Sequence, residues 1–179
     1  MSHILWSNAG FLALAAAAMA WAAWRTRPGP AFPGPRPVGP IFKAWLLIIW
    51  GVGLLLPLAA LALEGRAPAT RWALLPYLAM FVLQVVFELI AWKRLRSPIW
   101  VIVPCLFLPW RLFQVWQGMA LAPHAPLTAL TLDALFVLWV INIGVHYTNI
   151  PNTMRWDAHA PDSRFDSLKD PRVFVKDAQ

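Results

Sequence analysis

Long apolar stretches separated by short polar or proline-rich segments form the main pattern of the chain. Each apolar stretch has about the 20 residues that a helix needs to cross a hydrocarbon core of about 30 Å. The pattern predicts an all-α, polytopic helical membrane protein with five transmembrane helices. The predicted parts are a first transmembrane helix (1–24, apolar from residue 4), a proline-rich cytoplasmic linker (25–43), a four-helix transmembrane bundle (44–147, with spans 44–63, 72–92, 98–121 and 128–147) and a cytoplasmic tail (148–179).

The first apolar stretch is predicted to remain as a membrane helix, because no basic residue precedes it as in a signal peptide. Ala9, Ala13 and Ala17 recur every four residues and form a small-residue face, which lets another helix approach closely. We expect this face to be packed and not exposed to lipid. It is also the predicted contact with other integral membrane subunits. The linker that follows is long enough that the first helix need not lie beside the second.

Prolines predict local distortions in two later spans. Pro57 is expected to interrupt the second span, and Pro104 and Pro109 are expected to bend the fourth. Ser97 is the predicted N-cap of the fourth span, with Pro98 at the first helical position. Because the connections after the third and fourth spans are short, the third, fourth and fifth spans are predicted to form an antiparallel bundle.

Composition supports the membrane class. Hydrophobic residues make up 60% of the chain and charged residues 13%, whereas soluble domains have about 25% charged residues. The net charge of +7 comes from basic residues scattered over the connections, with no basic patch interleaved with aromatics. We therefore predict the lipid bilayer, and no nucleic acid, as a partner.

The distribution of basic residues predicts the orientation. Twelve lie on one side of the predicted spans and two, Arg66 and Arg71, on the other. This asymmetry predicts an N-terminus outside and a C-terminus in the cytoplasm. The predicted location is a bacterial plasma membrane or a thylakoid-type membrane.

Three ionisable side chains lie within predicted spans: Glu88, Arg111 and Asp133. Placing a charge in hydrocarbon costs about 2.5–3.5 kcal/mol on insertion scales, so each side chain should face protein or water. Arg111 lies roughly 16 Å, and Asp133 roughly 9 Å, from the outer ends of their helices at about 1.5 Å per residue. An arginine side chain is long enough to span the difference between these two depths. We therefore predict an ion pair between Arg111 and Asp133.

The other polar residues of the spans extend this prediction. Gln84 and Tyr77 share a helix face with Glu88, at spacings of four and seven residues, and Gln114 lies one turn after Arg111. The predicted buried polar network comprises Glu88, Arg111, Asp133, Gln84 and Gln114. A structural network is one interpretation, and a proton path or a polar substrate site is the other.

A second group of residues suggests cofactor binding. His146 lies inside the last span, where an imidazole is a ligand for haem iron or chlorophyll magnesium. Trp110 and Trp139 fall well inside their spans, away from the membrane interfaces where tryptophan is common. Helix packing explains both rings, and a flat ligand such as a carotenoid, quinone or chlorin stacked on them is the alternative. The predicted cofactor, if one is bound, is a chlorin, a carotenoid or a haem. No metal-binding pattern is present.

The patterns typical of catalytic sites are missing: there is no zinc-protease, nucleophile-elbow, phosphate-loop or dinucleotide motif. The leading prediction is a small, non-enzymatic accessory or assembly subunit of a larger membrane complex, with the tail as a further contact with partners. The first alternative is a pigment- or cofactor-binding subunit of a photosynthetic or respiratory complex. The second is a small transporter or intramembrane enzyme that uses Glu88, Arg111 and Asp133.

Overall fold

The computed structural model of the chain describes residues 2–25, 40–93, 102–121 and 125–148, and 96% of this part is helical. Its helices are α1 (Ser2–Arg25), α2 (Pro40–Trp50), α3 (Leu56–Glu64), α4 (Pro68–Lys93), α5 (Ile102–Leu121) and α6 (Pro126–Tyr147). The predicted all-α class is confirmed. The linker prolines before residue 40, the predicted cap at Ser97 and Pro98, and the tail beyond residue 148 lie outside the described residues.

Four stretches of the described chain are long and apolar enough to cross a membrane. They are His3–Trp24, Lys43–Glu64, Pro68–Ala91 and Pro126–Tyr147. Such stretches indicate an integral membrane protein. The helix outside this set, α5, is less apolar because it carries Arg111, Gln114 and Gln117. It packs between α4 and α6, and nine of its residues are buried.

Helices α4, α5 and α6 run antiparallel to their neighbours, as their short connections predict. Along α5, Gly118 lies against Ala73, and Gln114 and Arg111 reach the carbonyl groups of Pro76 and Phe81. Decreasing residue numbers along α5 therefore pair with increasing residue numbers along α4. This pairing encloses α5, so its polar side chains point into protein and not into lipid.

A π-helical turn, Gly51–Leu55, joins α2 to α3 without breaking the helical run. In this turn the backbone N–H of Leu56 donates to the carbonyl of Gly51, five residues earlier. Pro57 has no N–H and cannot donate to the carbonyl of Gly53. The expected interruption at Pro57 is therefore a local widening of the helix in which the Gly53 carbonyl lacks the N–H donor four residues later.

Helix α1 packs on α4 and α5. Its buried residues are Ala15 and Met19. By contrast, Ala9, Ala13 and Ala17 are all exposed. No helix of the described chain covers this face, because α1 turns inward the face that carries Asn8, Ala15 and Met19, and large side chains such as Trp6 and Trp21 are exposed as well. Contact of the alanine face with another subunit stays a prediction.

Candidate functional site

The bundle centre contains a hydrogen-bonded chain of buried polar groups. The hydroxyl of Tyr77 donates to the carbonyl of Gly53 at 2.7 Å, and the indole N–H of Trp139 donates to the Tyr77 oxygen at 3.1 Å. Both rings are almost completely buried. The Gly53 carbonyl thus receives a hydrogen bond from Tyr77 of α4. The Tyr77 oxygen in turn accepts the indole N–H of Trp139 from α6.

Arg111 lies beside this chain with 2% of its surface exposed. Its guanidinium carbon is 4.3 Å from the ring centre of Phe81 and 4.7 Å from that of Trp139. One terminal nitrogen, Nη2, donates to the Phe81 carbonyl at 3.3 Å. Two aromatic faces and a carbonyl dipole therefore replace water around the cation, an arrangement typical of cation–π binding.

Asp133 does not approach Arg111. Asp133 is exposed, and no ion pair joins the two side chains in the part of the chain that the structure describes. The residues that α6 buries are Thr128, Thr131, Leu132, Leu135, Leu138, Trp139 and Asn142. Asp133 lies outside this stripe. The predicted Arg111–Asp133 pair is therefore wrong: the estimated depths were compatible, but the carboxylate is on the outer surface of α6.

Gln84 and Glu88 lie together on α4, as their spacing predicts. The Gln84 amide donates to a Glu88 carboxylate oxygen at 2.6 Å, with Gln84 buried and Glu88 half-buried. Three buried side-chain atoms in the described chain have no hydrogen-bond partner: Gln84 Oε1, Gln114 Oε1 and Arg111 Nε. Gln84 and Glu88 thus form one pair, while Arg111 and Gln114 bond backbone carbonyls of α4, and Asp133 takes part in neither group.

Asn8 was not predicted as a polar contact, and it joins α1 to α5. Its Oδ1 accepts from Trp110 Nε1 and from Gln114 Nε2, both at 2.8 Å. Phe11 stacks on the Trp110 ring with 4.7 Å between ring centres and 5° between planes. Asn8 lies on the same face of α1 as Phe11, Ala15 and Met19. This spacing was the sequence signal for the inward face of the helix.

The residues suggested as cofactor contacts take part in packing. Trp139 is buried against Arg111 and Tyr77, while Trp110 is covered on one face by Phe11. Both indole N–H groups have acceptors within the chain. His146 is half-buried near the end of α6. Among the described residues no three His, Cys, Asp or Glu side chains form a group suited to a metal ion.

Glu64 is a second polar contact that the sequence analysis missed. Its carboxylate accepts from the backbone N–H groups of Leu127 and Thr128 at 3.0 and 2.7 Å, and from the Thr128 hydroxyl at 2.7 Å. The N-cap residue of α6 is Ala125, which offers no side-chain acceptor. Glu64, at the end of α3, therefore caps α6 from a neighbouring helix.

A groove of about 610 Å³ lies between α1 and the first half of α4. Its walls are mainly apolar, with Leu12, Leu75 and Leu83 among them, and its polar residues are Asn8 and Arg71. This volume falls within the range of about 300–1,000 Å³ that is common for small-molecule sites.

Comparison of this chain with protein-family models, with curated proteins and with solved structures gave no match.

Proposed function

We propose that the protein is a small, non-enzymatic accessory or assembly subunit of a larger membrane complex. In this proposal five helices span a bacterial plasma or thylakoid-type membrane, with the N-terminus outside and the C-terminus in the cytoplasm. The observation that carries the proposal is the exposed carboxylate of Asp133, which has no ion pair within the described chain.

Asp133 lies seven residues from the start of α6 at Pro126, which corresponds to about 10 Å along the helix. Its neighbours one turn before and after, Leu130 and Val137, are apolar and more than half exposed. A carboxylate in such surroundings costs about 2.5–3.5 kcal/mol, and the short side chain of aspartate reaches the interface poorly. A helix of another protein that brings a basic or hydrogen-bonding group would remove this cost.

The outward face of α1 supports the same proposal. Its exposed residues include Ala9, Ala13 and Ala17, and a Cβ added at Gly10 would meet no atom within 4 Å. The exposed surface of α1 also carries the large side chains of Leu5, Trp6, Leu14, Trp21 and Trp24, so the small residues form one strip of it. Small residues are enriched where membrane helices touch, so this face of α1 suits a partner helix better than lipid.

The buried network supports a structural role for the polar residues over transport or catalysis. Arg111 is held by two rings and a carbonyl of its own chain. Because α5 turns Arg111 and Gln114 inward, it is suited to be the fourth of the five proposed spans despite its lower apolarity. The excess of basic residues on the linker and after α4 supports the proposed orientation.

Site-specific photo-crosslinking in the native membrane tests the proposal. A benzophenone amino acid at position 130 or 137 brackets Asp133, and position 82 on the exposed face of α4 is the matched control. We expect a discrete protein adduct from positions 130 and 137 and none from position 82. The adduct should persist in Asp133→Glu and disappear in Asp133→Leu, because the contact depends on the carboxylate.

The partner peptide, identified by mass spectrometry, should carry Lys or Arg within a membrane helix. Adducts that do not respond to Asp133→Leu, or that also form from position 82, would contradict the proposal. So would an adduct with a second copy of this chain, because a copy paired through α6 would bring two Asp133 carboxylates together. A protein that extracts in mild detergent only as a compact monomer would contradict it as well.

A further inference from the structure

We propose that the groove between α1 and α4 binds one anionic glycerophospholipid, with its phosphate at Arg71 and its acyl chains along the apolar walls. This site is separate from the protein-contact surfaces on α6 and on the outward face of α1. The inference therefore does not depend on the proposed function.

The groove has a gradient from charged to apolar along its length. Arg71 lies three residues from the start of α4, and its exposed side chain makes no ion pair within the described chain. The lining continues along α4 to Leu83, twelve residues later, which is about 18 Å of helix. A cation at one end and an apolar wall of that length match a molecule with an anionic headgroup and a long hydrocarbon chain.

Asn8 adds a polar contact between these two regions. Its Oδ1 must face α5, because the Trp110 indole is only a donor and requires an acceptor there. The amide NH2 group therefore points away from α5, and Asn8 also lines the groove. No hydrogen bond from this NH2 group occurs within the described residues, so a donor is available in the groove.

The position of this donor suits the same ligand. Asn8 lies six residues from the start of α1 and Arg71 three residues from the start of α4, and α1 and α4 both run antiparallel to α5. Gln114 Nε2 donates to both Asn8 Oδ1 and the Pro76 carbonyl, so Asn8 lies level with Pro76, five residues beyond Arg71 and about 7–8 Å deeper along α4 at about 1.5 Å per residue. In a glycerophospholipid the ester carbonyls, which are acceptors, lie one glycerol unit below the phosphate. Arg71 is therefore placed to bind the phosphate, and Asn8 an ester carbonyl, of one lipid.

Native mass spectrometry of the purified full chain, titrated with phosphatidylglycerol or phosphatidylcholine of identical acyl chains, tests this site. We expect one phosphatidylglycerol molecule to be retained about fivefold more strongly than phosphatidylcholine, the size expected for one basic residue at an anionic headgroup. Arg71→Gln should remove this preference. Arg66→Gln is the matched control, because Arg66 is exposed in the turn before α4 and does not line the groove.

A second pair of variants tests the apolar part. Ala79→Phe fills the groove and should lower retention of both lipids, whereas Val82→Phe adds the same ring outside it and should change neither. Equal effects of Arg71→Gln and Arg66→Gln would show diffuse surface charge and overturn the proposal. Retention that survives Ala79→Phe, or the absence of a preference for phosphatidylglycerol, would also overturn it.

Discussion

The hydroxyl of Tyr147 donates a hydrogen bond of 2.8 Å to the carbonyl oxygen of Cys105. Pro109, four residues after Cys105, has no N–H to donate to that carbonyl. Tyr77 makes the equivalent bond to the carbonyl of Gly53, four residues before Pro57. Both tyrosines of the chain thus donate to a backbone acceptor to which a proline in another helix has no N–H to donate.

This relationship predicts that the two tyrosines contribute unequally to stability. Tyr77→Phe leaves the buried Gly53 carbonyl and the Trp139 N–H without partners, so it should lower the free energy of unfolding by about 1–3 kcal/mol. Tyr147→Phe should cost about 0.5–1.5 kcal/mol, because Tyr147 is partly exposed. The measurement is equilibrium unfolding by SDS titration in mixed micelles. In a Pro109→Ala background, where an N–H returns opposite the Cys105 carbonyl, Tyr147→Phe should cost less.

Arg111 and Asp133 are predicted to be energetically independent. Because the two side chains do not meet, the effects of Arg111→Met and Asp133→Leu on unfolding should add within about 0.3–0.5 kcal/mol. Arg111→Met keeps the buried volume and should be nearly neutral, whereas Arg111→Ala opens a cavity and should cost about 2–4 kcal/mol. A coupling of several kcal/mol in the double-mutant cycle would contradict the structure.

The cap at Glu64 predicts a graded loss of stability. Glu64→Ala removes the acceptor for two backbone N–H groups of α6 and should lower the free energy of unfolding. Glu64→Gln keeps one acceptor oxygen and should cost about half as much. Hydrogen exchange of the first turn of α6 measures the local effect. Exchange that is equally fast in the wild type and in Glu64→Ala would contradict the capping role.

Two glycines provide a matched test of helix packing. A Cβ at Gly118 would lie 3.0 Å from Leu132 Cδ2 and 3.3 Å from Ala73 Cβ, so Gly118→Ala should destabilise by about 1–3 kcal/mol. A Cβ at Gly144 would meet nothing within 4 Å, so Gly144→Ala should be neutral or stabilise by up to about 1 kcal/mol. The same SDS titration compares them, and similar effects of both substitutions would contradict the packing of α5 between α4 and α6.

The sequence was informative about helices and poor at locating contacts between them. Apolar length was enough to predict the helical class, because it depends on composition alone. The Arg111–Asp133 prediction rested on depth along two helices, and depth does not fix which way a side chain faces. Alanine spacing on α1 likewise identified a small face, but the inward face was decided by Asn8 and its partners on α5. Glu64 was missed because its role depends on the unfilled cap position at Ala125.

The bonds of Asn8 also set an order of events during synthesis. Its partners Trp110 and Gln114 lie 102 and 106 residues later in the chain. At about 5–20 residues per second, Asn8 has been in the chain for about 5–20 s before either partner exists. During that interval an amide in an apolar helix has no acceptor or donor from its final neighbours, so α1 is expected to stay near water, lipid headgroups or the insertion machinery until α5 arrives. Helix α1 is thus made before the other described helices and is fixed in place only after α5 has been made.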